Sequence, residues 1–565
     1  MKYNFIVSKQ TDYNKNIHNF IFISQQLKEF YCNIHASESI DELFYDKNGM
    51  IEHYDIILKK YKKYRDIVSV KLNEIHQVNY SKEFWYKVLS YYFFRLTSAL
   101  WIRYNKYRCF NVANNLYKPL KEENFFYPED TVESFLTLLS NDLYQDQIFS
   151  IYLNTFYSHN IFDYSIKKFN IQKQHNTTSN KALSSYFSSQ KVIIINSYIC
   201  ESIRKRFNTL KIGYKYLPIV NTMTTSINQL KRNQLQFENG DFEDNFDKFF
   251  FNALKYLLPK SFIEDFVAIY DYYNIDLPST KYILCEDWYS NDKLAIFLAI
   301  QAEQGKNIHS LSHANGQYIE KNWYKFIANI SDNYITFGWK DDEIKNLIST
   351  GFWRYDDKSL NRKKKKGTVV LFLSYANTSS YDTDMGLFHM YNSEAQKSYR
   401  NTISIYERLL NVNTLSKITY KPYISNRGIV SYKFELRLKR KCQKLKKNIE
   451  FGYDNLKFIN SAKLLICGTV SSAFAEGIYY NIPTIAFFNL KFVFIKDEYK
   501  KLFNELERVG ILHTNPKSLA RFTEQIIDNP EDWWFSKKVQ LVRKQYISLN
   551  GASNSKFLEY VKSLI

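Results

Sequence analysis

The sequence predicts an α/β chain of two doubly wound domains with a largely helical insertion in its N-terminal half. Three observations carry that prediction. The first is length: 565 residues exceed one ordinary hydrophobic core and suit two domains of roughly 200 to 300 residues each. The second is a hydrophobic content of 45% without long low-complexity tracts, the composition of a globular chain. The third is alternation. Short β-branched runs followed by helical patterns occur on both sides of a charged segment at 340–366.

Apolar runs at Tyr3–Val7 and Phe20–Ser24 open the chain as short strands, and helical patterning follows from about Met50 to Tyr157. The most apolar long stretch, Phe84 to Tyr104, contains Lys87, Arg95 and Arg103. An arginine at the centre of a membrane span costs about 2.5 to 3.5 kcal/mol, so this stretch reads as a buried helix. The Ser/Asn/Thr-rich residues 176–191 read as an exposed loop, and 191–198 as a buried strand. Residues 241–259 begin with acids and stop at Pro259, as a helix does. Strand 281–286, a helix from Asp292 to Gln304 closed by Gly305, and strands 306–313 and 333–339 complete an N-terminal domain of residues 1–345. In the hinge, Lys363 to Lys366 suit an anionic membrane contact or a solvated linker. The C-terminal domain, 346–565, has strands at 368–374, 417–423, 462–469 and 483–489, with terminal helices.

A net charge of +20 favours anionic partners such as nucleotide sugars, phospholipid headgroups or nucleic acid. Charge does not choose among them, because 47 Tyr, 44 Phe and many Lys, Asn and Ile match the bias of an AT-rich genome. The basic residues are spread along the chain without a nucleic-acid-binding motif, so no nucleic-acid partner is expected. Six cysteines, at 32, 109, 200, 285, 442 and 467, form no CxxC pair, which disfavours structural zinc and a disulfide scaffold. The run Phe5 to Val7 is too short for a signal-peptide core, and a cytoplasmic location is expected.

The strongest local signal spans 462–489: a strand, a small polar turn, a helix and a second strand introduced by Asn481-Ile482-Pro483. Hydroxyls and free backbone N–H groups at such a strand-to-helix turn hold phosphate. Thr469, Ser471 and Ser472 are therefore the candidate phosphate ligands, and Glu476, further along the helix, reaches the same crevice. A structural turn, with Glu476 offsetting the helix dipole, is the plainer alternative. His313 ends strand 306–313, before a turn containing Gly316, where α/β proteins place ligands; it suits a base or a phosphate donor, or a structural histidine. Glu286 and Asp287 end strand 281–286, where a carboxylate can deprotonate an acceptor hydroxyl, although helix capping is also open to them. Lys421, before Pro422 and Tyr423, can neutralise a leaving phosphate or stand as a surface lysine.

The segments AKLLICGTVSSAFAE, NIPTIAFFN, LFNELERVGILHTNPKSLA and NPEDWWFSKKVQLVRKQY, with LNEIHQVNYSKEFW and NYITFGW upstream, resemble a family of bacterial surface-carbohydrate transferases first described from spirochaetes. The resemblance covers nearly the whole chain. It implies two Rossmann-like domains in a GT-B-like arrangement and a role in building lipopolysaccharide, capsule or a related glycan. More distantly, the chain is similar to capsule Kdo- and sialic-acid-type transferases, in which a Ser/Thr-Ser turn binds the donor phosphate; Ser471 and Ser472 match that turn, and Lys421-Pro422-Tyr423 stands where those enzymes have a His-Pro element. The family's glutamine-histidine-glycine-glycine signature stands here as Ser312-His313-Ala314-Asn315-Gly316.

These observations predict a glycosyltransferase that moves a sugar, of the nonulosonic or Kdo type on the resemblance, from a nucleotide sugar onto a glycan or lipid-linked glycan acceptor. Cationic side chains and helix N-termini would stabilise the leaving phosphate without metal or cofactor, and peripheral contact with the inner membrane is expected. A CDP-alcohol-dependent polyol-phosphate transferase and a non-catalytic glycan-binding protein are the alternatives.

Overall fold

The computed structural model describes residues 2–7, 11, 15, 19–23, 37–39, 47–131, 142–157, 165, 189–217, 226–313, 323–354, 367–373, 393–421, 455–488, 495–550 and 555–565. Among the predicted features, Lys363 to Lys366, Pro422 and Tyr423, Ala314 to Tyr318, and 176–188 lie outside the described residues.

Three parallel sheets carry the architecture. The first joins β1 (Tyr3–Ile6), β2 (Phe20–Phe22), β3 (Ser37–Ser39) and β4 (Asn115–Leu116) in the order β3-β2-β1-β4. It is separate from the sheet that follows, an element the two-domain prediction lacked. Between β3 and β4 run the long helices α1 (Lys47–His76) and α2 (Lys82–Tyr107), packed against each other, and after β4 comes α3 (Asp142–Tyr157). Helix α2 starts where Ser81 caps the Phe84 N–H. It is the buried helix that the sequence predicts: Arg103 is enclosed, donating to Gln145 Oε1 at 2.8 Å and to the Ala99 carbonyl at 2.8 Å. Among the described residues, no helix is long and apolar enough to cross a membrane.

The second sheet contains β5 (Val192–Ile195), β6 (Gly213–Lys215), β7 (Tyr282–Glu286), β8 (Asn307–Leu311), β9 (Asn333–Thr336) and β10 (Leu347–Ser349), in the order β10-β9-β8-β7-β5-β6. Every residue of β5 is buried, as expected for a strand covered on both faces. Helix α4 (Asn245–Leu257) follows β6, and α5 (Asp292–Glu303) follows β7, is capped by Asn291 and packs on α2. Strand β10 lies beyond residue 345, where the sequence placed the boundary, so this sheet is completed by part of the expected hinge.

The third sheet contains β11 (Thr368–Phe372), β12 (Ile418–Lys421), β13 (Ala462–Cys467), β14 (Thr484–Phe487) and β15 (Leu512–His513), in the order β12-β11-β13-β14-β15. Its helices are α6 (Ser393–Leu409), α7 (Ser472–Tyr479), α8 (Asp497–Arg508) and α9 (Pro516–Ile526), followed by α10 (Lys537–Asn550) and α11 (Ser555–Ser563). Glycine at 477 lets α7 lie directly on the sheet, because a Cβ there would come within 2.3 Å of Thr484 Oγ1.

In the second and third sheets the chain first adds a strand on one side and then crosses to the other. The order therefore reverses between β5 and β7, and again between β11 and β13. Crevices at the carboxyl ends of strands form at such reversals, which fixes two places where ligands can bind.

Phe352 links the two α/β units by stacking on Tyr479 of α7 at 5.3 Å. Beside it Trp353 packs on Phe557 of α11 at 4.9 Å, and Arg354 turns back to pair with Glu286 of the second sheet. Helix α11, last in sequence, returns to the second sheet, where the Tyr560 hydroxyl and His309 Nδ1 are hydrogen-bonded at 2.8 Å.

Candidate functional site

The first cluster forms at the β5/β7 reversal. Successive residues of a strand point to opposite faces, so Glu286 and Asp287 would diverge if β7 simply continued. Asp287 instead adopts a left-handed backbone with φ of 51°, which ends the strand and turns both carboxylates toward one imidazole. His313 Nδ1 lies 2.5 Å from Asp287 Oδ2 and 2.8 Å from Glu286 Oε1. Across the reversal, β5 also ends in a left-handed residue, Asn196, with φ of 48°. After that turn, Ser197 Oγ donates to Glu286 Oε2 at 3.0 Å.

Arg354 completes the cluster. Its guanidinium pairs with Glu286 and stands 3.2 Å from His313 Nδ1. Glu286 is buried, whereas the His313 ring keeps 45% of its side-chain surface exposed. Burial opposes the charged ring, but the charges and hydrogen bonds of Asp287 and Glu286 outweigh it and push the His313 pKa up to about 10. Burial likewise works against the Asp287 carboxylate, yet the His313 charge and hydrogen bonds from His313 and Tyr289 hold its pKa below the ordinary value. With Nδ1 directed at the carboxylates, any exchange of a proton with a ligand would fall to Nε2.

One donor atom each from Glu286, Asp287 and His313 lies within 4.8 Å of the others, a spacing at which a cation can be held. A metal bound there would have to replace the His313 proton and share Glu286 with Arg354, because both positive charges already lie against the carboxylates.

The second cluster lies at the β11/β13 reversal. After Cys467 the chain turns through Gly468 and Thr469, and α7 begins at Ser472 with Ser471 as its N-cap. Ser471 makes no side-chain cap hydrogen bond, and Thr469, Ser471, Ser472 and Glu476 are all half-buried. Gly468 is required by a close approach: a Cβ there would lie 2.4 Å from the Tyr399 hydroxyl of α6. The structure thus brings the four predicted residues together at one helix N-terminus, which carries partial positive charge and unpaired N–H groups.

Lys421 ends β12 on the same sheet edge: it pairs in register with Phe372, which pairs in turn with Cys467. Two strand spacings place its Cα roughly 10 Å from that of Cys467. It is not a surface lysine. Its ammonium is buried 5.5 Å from the centre of the Phe458 ring, and burial lowers its pKa.

Arg354, Ser197 and Tyr399 were missed in the sequence. Arg354 is the only one with a local signal, since the aromatic pair Phe352-Trp353 precedes it within an otherwise charged segment.

No curated protein matches the sequence. Among solved structures, the chain is similar to the S. aureus MnaA–UDP co-structure at 12% identity and a TM-score of 0.35, covering 66% of this chain and 96% of that one. It is similar to Acinetobacter baumannii MurG at 11% identity and 0.32, covering 66% and 99%. Medicago truncatula UGT71G1 complexed with UDP-glucose matches at 9% and 0.34, covering 68% and 100%. A family model described as LIC12162 family transferase matches residues 5–562, so this chain belongs to that family of transferases.

Proposed function

We propose that the chain transfers a sugar from a nucleotide sugar to a bacterial surface glycan or a lipid-linked precursor of one. The donor would bind at Thr469, Ser471, Ser472 and Glu476, and the acceptor at His313. The observation that carries this reading is the placement of two chemically different clusters at the order reversals of two parallel sheets, in units that Phe352 links through Tyr479 of α7. One offers hydroxyls and a helix N-terminus to a diphosphate or monophosphate; the other offers an oriented imidazole to a hydroxyl.

In this reading the phosphates lie against the first turn of α7, and Glu476 accepts from the ribose or base. Lys421 adds positive charge from the same sheet edge as the leaving group separates. The acceptor hydroxyl hydrogen-bonds to Nε2 of the neutral His313 ring. Its oxygen attacks the anomeric carbon as the bond to phosphate breaks, and its proton passes to Nε2. Asp287 and Glu286 stabilise the imidazolium that forms, and Arg354 limits their combined negative charge. None of these steps is assigned to a metal. On the sequence resemblance the sugar is a nonulosonic or Kdo-type acid, and the work is done at the cytoplasmic face of the inner membrane.

The test is product analysis after incubation with CMP-, UDP-, GDP- and CDP-linked donors and lipid-linked glycan extract. Transfer of sugar without phosphorus, lost in H313A, supports the reading. Transfer of phosphorus with an alcohol group identifies polyol-phosphate transfer and overturns it, as does glycan binding without turnover of any donor.

A further inference from the structure

We infer that Tyr198 and Tyr216 form a stacking platform for a hexopyranose ring of the acceptor, beside His313. This rests on the sugar-transfer reading above and adds to it a binding surface outside the two clusters. Tyr198 follows β5 and Tyr216 follows β6, and they are 62% and 50% exposed. Their centroids lie 6.3 Å apart, edge to face.

These rings are held in place. The Tyr216 hydroxyl donates to the Ser197 carbonyl at 3.0 Å, and the Tyr214 hydroxyl donates to the same oxygen at 2.9 Å. Ser197 holds Glu286 through its own hydroxyl, and the Tyr198 N–H donates to Glu286 Oε2 at 3.4 Å. The Arg354 guanidinium lies 5.3 Å from the Tyr198 ring centre. Both tyrosines are therefore tied to the carboxylate that orients His313, while much of their aromatic surface remains in solvent.

A pyranose matches that combination. One face of the ring is a patch of C–H groups that packs on an aromatic plane, and the edge carries hydroxyls that bond to charged groups. A ring stacked here would direct its edge hydroxyls at Arg354 and at Nε2 of His313. The tyrosines would thus select a sugar acceptor over a simple alcohol, and Arg354 would set which hydroxyl faces the base.

The experiment is saturation-transfer NMR on the full chain with methyl glucoside, methyl galactoside and methyl mannoside. Thermal shift against nucleotide sugars is run in parallel. Saturation is expected on the C–H protons of at least one glycoside, with binding weakened about tenfold in Y198A/Y216A and little changed in Y198F. Donor-induced thermal shifts should be equal in all three proteins and show that the variants are folded. Equal glycoside binding by wild type and Y198A/Y216A, or no glycoside binding by wild type, overturns the platform while leaving donor binding intact. Absence of any donor shift in the wild type overturns the transfer reading instead, through a separate signal.

Discussion

His313 Nδ1 stands 2.5 Å from Asp287 Oδ2, and that contact exists because Asp287 leaves the strand in a left-handed conformation. The arrangement favours the charged ring, which must lose a proton before Nε2 can act as a base. NMR titration of the His313 ring should give a midpoint near 10, well above the ordinary histidine value. D287N should move it down by more than a unit, and the activity of the wild type should rise with pH toward that midpoint. The sign for stability is the opposite. A pKa raised in the folded state contributes stability fully below about 6.5, and this contribution is lost as pH climbs toward 10. A wild-type midpoint near 6.5 would contradict the geometry.

Gly468 tests the strand-to-helix turn. In G468A the new methyl meets the Tyr399 hydroxyl at 2.4 Å, whereas the next nearest ring atoms are 3.1 Å away. The substitution should cost about 1 to 3 kcal/mol in urea unfolding. Y399F removes the atom in conflict, so G468A/Y399F should recover much of that loss; additive losses would contradict the account.

Phe352 tests the connection between the two α/β units. Its ring is buried between Phe337 of the second sheet's unit and Tyr479 of α7. F352A should destabilise the protein by about 3 to 5 kcal/mol by calorimetry or denaturant unfolding, and F352L by less. A change within 0.5 kcal/mol, of the order seen at unconstrained surface positions, would show that the contact does not hold the units together.

The longer strands of the second and third sheets were legible because runs such as Val192–Ile195 and Ala462–Cys467 are largely apolar and bounded by turn residues. Strands β3, β4, β6, β10 and β15 were not, because each is two or three residues long and too short to show a period. The same difference explains the sites. Thr469 to Glu476 is continuous in sequence, and Glu286, Asp287 and His313 each follow a visible strand. Their union depends on Arg354, 41 positions from His313 and outside any predicted element, and on a left-handed aspartate that no pattern announces.

The most direct measurement of the central claim is calorimetric titration of the wild type and of S472A/E476A with CMP-, UDP-, GDP- and CDP-linked sugars. The account predicts saturable binding of one donor class by the wild type and its loss in a folded S472A/E476A protein. Unchanged affinity in that variant would place the donor elsewhere and contradict the account.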